Sequence, residues 1–150
     1  MPLSVIRKEL TSLAVDALVD PTDGKFTGVG GADGAIRRAA GPRLDEDLVR
    51  REGLQVGEAI LTNGYRLRAK YLILTRGPVW KGGGEDEAEQ LARCYRCCLS
   101  LAKANGCHTL AFPLISVGAF GFPEAEARRI AEEAIRDWLR TEEMEVLLVL

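Results

Sequence analysis

The sequence is poor in several features that mark common functional classes. It has one histidine in 150 residues, which excludes two-histidine metal sites and most Ser-His or Cys-His catalytic triads. Its 20 basic residues nearly balance its 22 acidic ones, for a formal net charge of −2. We therefore do not expect a nucleic acid as partner, because no excess of positive charge would attract one.

The chain also lacks long apolar runs. No stretch approaches the roughly 20 apolar residues that span a bilayer, and residues 1–8 lack the apolar core of a signal peptide. From these two absences we predict a cytoplasmic protein that does not contact a membrane.

Cysteines are few and crowded. Of the four, Cys94, Cys97 and Cys98 fall within five residues of one predicted helix, and Cys107-His108 follows it. A disulfide framework would distribute its cysteines over loops, and zinc sites usually have paired ligands at defined spacing. Because Cys94 and Cys98 occupy the apolar stripe of the helix, we predict free thiols packed in the core and no metal site, with zinc as a minor alternative.

Along the rest of the chain, apolar segments with the periodicity of strands alternate with segments that have the periodicity of helices. Their length and hydrophobic content, 47% of all residues, fit one domain over residues 1–150. Strands are predicted near residues 3–6, 17–19, 59–62, 71–75, 109–115 and 146–150, and helices near 33–40, 44–52, 87–104 and 123–139. This alternation predicts an α/β fold, a three-layer α/β/α domain with a mixed, mostly parallel central sheet. Because the sequence stops inside an apolar strand, we expect that either a C-terminal helix is missing or the domain closes there.

Two glycine-containing loops each follow a predicted strand and precede a helix. The first is Gly28-Val29-Gly30-Gly31-Ala32-Asp33, and the second is Ser116-Val117-Gly118-Ala119-Phe120-Gly121. Glycines allow backbone N–H groups to approach an anion, and a helix N-terminus adds partial positive charge. If both strands are parallel, both loops lie at one edge of the sheet, so the pattern favours a diphosphate ligand. Either loop alone is equally compatible with a tight turn.

Several stretches match a known family in order and spacing. They are Val15 to Val19, Gly28 to Gly41 (GVGGADGAIRRAAG), Gly57-Glu58-Ala59, Thr62 to Tyr65, Leu67 to Tyr71, Gly77 to Trp80, and Ala111 to Pro123 (AFPLISVGAFGFP). Over nearly its whole length the chain resembles a macrodomain. The resemblance implies that it binds ADP-ribose or a related nucleotide diphosphate, or ADP-ribosylated protein. Many members hydrolyse ADP-ribosyl esters or O-acetyl-ADP-ribose, and no cofactor is implied.

The resemblance also implies roles for particular residues. Asp33, which would orient a water molecule, and Asp23, near the distal ribose, are the candidate catalytic residues. The implied ligand-binding residues are Glu9, Leu10, Asp20, Gly30, Gly31, Ala32, Ser116, Val117, Gly118, Ala119 and Phe120.

The chain departs from the family pattern at some of these positions. Asp20-Pro21-Thr22-Asp23 stands where the family commonly has Asn-Ala-Ala-Asn, and Glu9 stands where it has the Asp that contacts adenine. A carboxylate only accepts hydrogen bonds, whereas the amide of Asn both donates and accepts. Arg37 replaces a common His, and Val117 replaces a Thr.

Other interpretations of these residues remain open. Asp33 could do no more than cap a helix. Asp20, Asp23 and Asp33 together could hold a hard cation such as Mg²⁺, or Asp20 and Asp23 could only stabilise the turn through Asx hydrogen bonds to the backbone. The functional alternative is a non-catalytic module that reads ADP-ribose, another nucleotide or an RNA end. A further alternative is a degenerate fold that serves protein interaction.

Overall fold

A computed structural model describes residues 2–27 and 30–150. Its six strands are β1 (Leu3–Ile6), β2 (Ala17–Thr22), β3 (Ala59–Asn63), β4 (Tyr71–Arg76), β5 (Thr109–Pro113) and β6 (Glu145–Val149). Its four helices are α1 (Gly31–Ala40), α2 (Pro42–Val49), α3 (Glu87–Ala104) and α4 (Glu124–Trp138). Short 3-10 turns cover Leu10–Ser12 and Gly118–Phe120.

The strands form one sheet in the order β1-β6-β5-β2-β4-β3. All neighbouring pairs are parallel except β3 with β4. This confirms the predicted mixed, mostly parallel sheet. The carboxyl ends of β2, β4 and β5 therefore lie at one edge of the sheet, where ligand crevices form in α/β proteins.

Helices cover both faces of this sheet. Strand residues such as Val19 and Phe112 pack with α3 and α4 in one apolar core. Leu18 and Leu72 pack with α1 and α2 in a second core on the opposite face. The division follows from the strand period of two, which sends successive side chains to opposite faces. The three-layer α/β/α prediction is confirmed.

One predicted strand end was wrong by several residues. The strand predicted near residues 17–19 does not end in a turn at Asp20-Pro21, because β2 continues through Thr22. The strand tolerates Pro21 because β2 pairs with β5 only at Ala17 and Leu18, while its pairing with β4 continues to Thr22. Beyond Leu18, β2 pairs with β4 alone among the described residues, so the missing N–H of Pro21 costs no hydrogen bond to β5.

Smaller shifts affect other elements. β5 ends at Pro113 rather than Ile115, and α2 ends at Val49 rather than near residue 52. Helix α1 begins at Gly31, two residues before Asp33. In the part of the chain that the structure describes, no helix combines the length and hydropathy needed to cross a bilayer.

Candidate functional site

A cavity of about 310 Å³ opens at the carboxyl edge of the sheet, where β2 and β5 separate. Its lining residues come from the end of β2, the first turn of α1, the residue after β4 and the loop after β5. They are Pro21, Thr22, Asp23, Thr27, Gly30, Gly31, Ala32, Asp33, Gly77, Leu114, Ile115, Ser116, Val117, Gly118 and Phe120. A volume of this size lies at the lower end of the range of about 300–1,000 Å³ typical of small-molecule sites.

The first predicted loop reaches the cavity through the start of α1. Gly30 and Gly31 have φ values of 72° and 57°, in the left-handed region that glycine adopts at little cost. A Cβ at either position would meet no atom within 4 Å. Glycine is therefore favoured here by backbone conformation and not by crowding. Gly28 and Val29 of the same predicted loop lie outside the described residues.

The α1 N-terminus has an electrostatic consequence. Gly30 and Gly31 line the cavity, and no side chain of the described residues caps the helix at Gly30. The unpaired N–H groups of a first helical turn and the helix dipole both favour an anion at such a position. Among the described residues that line the cavity there is no Lys or Arg, so attraction for an anion there rests on backbone groups.

The second predicted loop is held from two sides. Within it, the Phe122 N–H donates to Ser116 O (3.0 Å) and the Gly121 N–H donates to Gly118 O (2.9 Å). From outside, the Trp80 N–H donates to Phe120 O at 2.8 Å. Ser116 has a φ of 69° and is only 5% exposed. A non-glycine residue in this conformation is uncommon and is often found at functional sites.

Asp23 forms hydrogen bonds within its own loop. Its carboxylate accepts hydrogen bonds from the Lys25 N–H (3.0 Å), the Thr27 N–H (3.3 Å) and the Thr27 hydroxyl. Burial opposes its ionisation, but these hydrogen bonds outweigh burial and lower the pKa of Asp23 below its usual value. Asp23 thus lines the cavity as an ionised group that closes the turn of residues 23–27. The alternative that Asp23 stabilises the turn through Asx hydrogen bonds to the backbone is confirmed by the bonds from Lys25 and Thr27.

Asp33 lies in the first turn of α1, where its side chain is largely buried. Burial raises the pKa of Asp33, and the charge of Asp23 adds to the rise, while Asp20 and Arg37 oppose it. Arg37 Nη1 lies 3.9 Å from Asp33 Oδ1, and Arg37 Nε donates to Asp45 Oδ1 at 2.7 Å. The Arg37 side chain is largely buried and does not line the cavity. It joins α1 to α2 behind Asp33.

Four predicted ligand-binding residues do not line this cavity. Asp20 is completely buried behind the wall. Glu9 and Leu10 lie at the 3-10 turn that precedes β2, beside α1. Ala119 sits between two lining residues without being one. Glu9, Leu10 and Ala119 remain predictions for a larger ligand that extends beyond the cavity.

Sequence reasoning missed six lining residues. Thr22 was missed because β2 was expected to end early, although the period of two from Leu18 through Asp20 would have placed it on the same face. Gly77 follows β4, and the parallel order of β2 and β4 would have placed it at the same edge. The others are Pro21, Thr27, Leu114 and Ile115.

The cysteines behave as predicted for core residues. Cys94, Cys98 and Cys107 are buried, and all four are free thiols. Burial raises the pKa of Cys94 to about 11 and that of Cys98 well above its usual value. The thiolate form that zinc or a nucleophilic mechanism requires is therefore disfavoured at both. Among residues 2–27 and 30–150, no group of three His, Cys, Asp or Glu side chains is arranged to hold a metal ion.

Similarity to known proteins agrees with the fold. A macro domain-containing protein of Chlorobaculum tepidum is 48% identical over 140 residues, which is 93% of this chain and 81% of that protein. A Salmonella gallinarum protein named O-acetyl-ADP-ribose deacetylase is 45% identical over 141 residues, covering 91% of this chain and 79% of that one.

Solved structures of similar shape contain nucleotides. The Oceanobacillus iheyensis macrodomain with ADP superimposes with a TM-score of 0.93 at 34% identity, covering 99% of this chain and 82% of that one. The Trypanosoma brucei macrodomain in complex with ADP-ribose gives a TM-score of 0.90 at 36% identity, covering 98% of this chain and 63% of that one. A family model for the Macro domain matches residues 19–131. The chain belongs to the Macro domain family.

Proposed function

We propose that this protein binds ADP-ribose in the cavity between β2 and β5, with the diphosphate held between the first turn of α1 and the loop after β5. The observation that carries the proposal is that both glycine-containing loops line one cavity at the carboxyl edge of the sheet. The family supports the ligand, because solved relatives hold ADP and ADP-ribose.

The chemistry of the wall fits a diphosphate. Gly30, Gly31 and Gly118 bring backbone close to the cavity without side chains, and the α1 dipole favours negative charge there. The carboxylate of Asp23 accepts three hydrogen bonds from its own loop. These bonds partly neutralise a charge that would otherwise repel the ligand.

A charge placed beside the bound diphosphate tests this arrangement. Val117 lines the cavity and is half-buried, so we expect Val117→Glu to leave the fold intact and repel a diphosphate. Val117→Gln has the same shape without charge and is the matched control. Calorimetry should give a micromolar Kd for the unmodified protein, at least about tenfold weaker binding for Val117→Glu, a difference of about 1.4 kcal/mol or more, and a much smaller loss for Val117→Gln.

Equal losses of affinity in Val117→Glu and Val117→Gln would show that the size of the new side chain, and not its charge, weakens binding. AMP, tested in parallel, separates recognition of a diphosphate from recognition of adenosine. No binding of ADP-ribose at millimolar concentration would overturn the proposal and favour the degenerate fold.

A hydrolytic function is supported by a separate observation, the position of Asp33 at the cavity wall with a raised pKa. A partly buried carboxylate can orient a water molecule for attack on an ester and accept its proton. The similar Salmonella protein is named O-acetyl-ADP-ribose deacetylase. We propose that Asp33 performs this role on an O-acetyl or ADP-ribosyl ester.

The test for hydrolysis is acetate release from O-acetyl-ADP-ribose, followed by proton NMR. The unmodified protein should release acetate, and Asp33→Asn should bind ADP-ribose but release acetate at least about a hundredfold more slowly, in line with loss of a general base. Tight binding without turnover by the unmodified protein would instead identify a reader of ADP-ribose or of ADP-ribosylated protein.

A further inference from the structure

Asp20 is the most deeply buried acidic residue near the cavity, and it does not line the cavity wall. Its exposure is 0%, and neither carboxyl oxygen has a hydrogen-bond partner among the described residues. It lies two residues after Leu18 in β2, so its side chain points to the same face of the sheet, toward α1 and α2. An ionised carboxylate in that position would lack any compensation from hydrogen bonds.

The groups that face Asp20 come mainly from α1. They are the carboxyl group of Asp33 and, behind it, the guanidinium of Arg37. The partner of Asp20 on β4 is the apolar Leu74, and the paired segment of β5 nearest to it ends at Ala111. Of the charged groups in the described residues that act on Asp20, Asp33 has the larger effect and Arg37 the smaller.

Arg37 cannot neutralise both acids. Its Nε donates to Asp45 at 2.7 Å, and its Nη1 lies 3.9 Å from Asp33 Oδ1, beyond hydrogen-bond distance. Asp33 Oδ1 also lacks a hydrogen-bond partner within the described part of the chain. One guanidinium thus serves three carboxyl groups, Asp20, Asp33 and Asp45, of which the first two are buried.

We propose that Asp20 is a positioning residue that keeps one proton at neutral pH and donates it to Asp33, so that the two buried carboxyl groups carry a single negative charge. The proton resides on Asp20, because Asp20 is the more deeply buried and Asp33 has both Arg37 and the positive end of the α1 dipole beside it. The protonated carboxyl group supplies the donor that would satisfy an otherwise unpaired oxygen of Asp33.

The direction of the acid–base shifts agrees with the geometry. Burial raises the pKa of Asp20 well above its usual value, and the charge of Asp33 raises it further, against a smaller opposing effect of Arg37. Burial also raises the pKa of Asp33, with Asp23 adding to the rise. Two carboxyl groups in contact release their protons in separate steps that belong to the pair.

The proton has two consequences. It fixes the orientation of Asp33 at the cavity wall, and it removes one negative charge from beside an anionic ligand. The effect on ligand binding rests on the proposed function, whereas the shared proton itself does not. At alkaline pH the pair loses its last proton, and repulsion between the two carboxylates should displace Asp33 and weaken binding of a diphosphate.

The pH dependence of stability tests the shared proton without any ligand. Because the folded state raises the pKa of Asp20, the folded protein binds more protons than the unfolded chain above the unfolded value of about 3.9. Its stability therefore falls as pH rises from that value until the folded-state pKa of Asp20 is reached. An amide cannot ionise, so Asp20→Asn should be free of this loss.

The experiment compares the unmodified protein with Asp20→Asn and with Asp45→Asn, the control that removes a more exposed acid from the same Arg37. The carboxyl carbons of ¹³C-labelled Asp are titrated by NMR, and Tm and the Kd for ADP-ribose are measured from pH 4 to pH 9. We expect the Asp20 carbon to titrate above pH 7, because the proposal requires Asp20 to be protonated at neutral pH. We also expect the Tm of Asp20→Asn to exceed that of the unmodified protein by a margin that grows with pH. The Kd of Asp20→Asn should stay flat at the alkaline pH where that of the unmodified protein rises several-fold.

Titration of the Asp20 carbon below pH 7 would overturn the proposal, because Asp20 would then be ionised at neutral pH. So would an Asp20→Asn variant whose Tm and Kd follow the pH dependence of the unmodified protein. If Asp20→Asn does not fold, the titration of the unmodified protein decides alone. If Asp20 titrates above pH 7 but the protein does not bind ADP-ribose, the proposed function is refuted and the shared proton is still supported.

Discussion

Gly77 shows how closely single residues are fitted around the cavity. It follows β4, and a Cβ at this position would lie 2.1 Å from Ser116 Oγ and 2.6 Å from Ile115 Cγ2. Distances below 3.0 Å require atoms to move, and both of those residues line the cavity. The loop after β5 therefore keeps its position only because residue 77 has no side chain.

Gly77→Ala should displace that loop and weaken ADP-ribose binding more than it weakens the fold. We expect at least about a tenfold rise in Kd and a loss of about 1–3 kcal/mol in the free energy of unfolding, typical of overpacking. Calorimetry and urea unfolding measure the two effects. Gly84→Ala is the matched control, since a Cβ there meets no atom within 4 Å. Similar effects of both substitutions would contradict this account.

At the scale of elements, the loop before α3 depends on one carboxylate. Glu87, in the first turn of α3, is 1% exposed and accepts hydrogen bonds from the N–H groups of Lys81 (2.9 Å), Gly83 (2.9 Å) and Glu85 (2.6 Å). The same loop begins at Trp80, whose N–H contacts Phe120 of the cavity wall. Glu87 thus holds α3, its preceding loop and the edge of the site together.

Loss of this carboxylate should show a characteristic pH dependence. Burial opposes ionisation of Glu87, but the backbone hydrogen bonds dominate and lower its pKa from 4.5 to about 2. Its contribution to stability is therefore complete above pH 4.5 and is lost as the pH falls from 4.5 toward 2. We expect Glu87→Gln to lower Tm at pH 7, and the difference from the unmodified protein to shrink as the pH falls through this window.

The control for this measurement is Glu89→Gln. Glu89 belongs to the same first turn of α3 and has the same relation to the helix dipole, but its side chain is exposed and pairs with Arg96. It should change Tm little at any pH, because exposed ion pairs contribute about 0–1 kcal/mol. A pH-independent deficit in Glu87→Gln would show that packing, and not the charge, stabilises the loop.

At the scale of the whole molecule, one sheet is shared by two apolar cores. Leu99 of α3 lies in one core and Leu44 of α2 in the other, and both are 0% exposed. Strands such as β2 contribute alternate residues to both. We therefore propose that residues 1–150 unfold as one cooperative domain.

Leu99→Ala and Leu44→Ala test this proposal. Each should lower the free energy of unfolding by about 2–5 kcal/mol, in a single transition seen at the same urea concentration by tryptophan fluorescence and by circular dichroism. Val49→Ala, at a side chain that is 85% exposed, should change stability by less than about 0.5 kcal/mol. A second transition in either leucine variant would indicate that the two layers unfold separately.

The parts of the fold that local sequence patterns specify were predicted well. The stripe of α3 placed Cys94 and Cys98 in the core, and the alternation of strands and helices predicted three layers. The predicted ends of elements were wrong where tertiary contacts outweighed a local sequence signal. Pro21 reads as a turn residue, yet β2 continues through it because the ladder there runs to β4 and not to β5.

The candidate site also has features that local sequence specifies and features that depend on tertiary contacts. The sequence by itself determined where the two glycine-containing loops fall. Positive φ values and helix starts depend on local sequence, and Gly30 and Gly31 adopt positive φ readily because they have no side chain. Only the tertiary structure decided that Asp20 is buried against α1 while Asp23 is bound by its own loop and Asp33 lines the cavity. These three acids look alike in sequence, and what separates them is burial and the neighbours that distant segments supply, namely Arg37 and the gap that opens where β2 and β5 part.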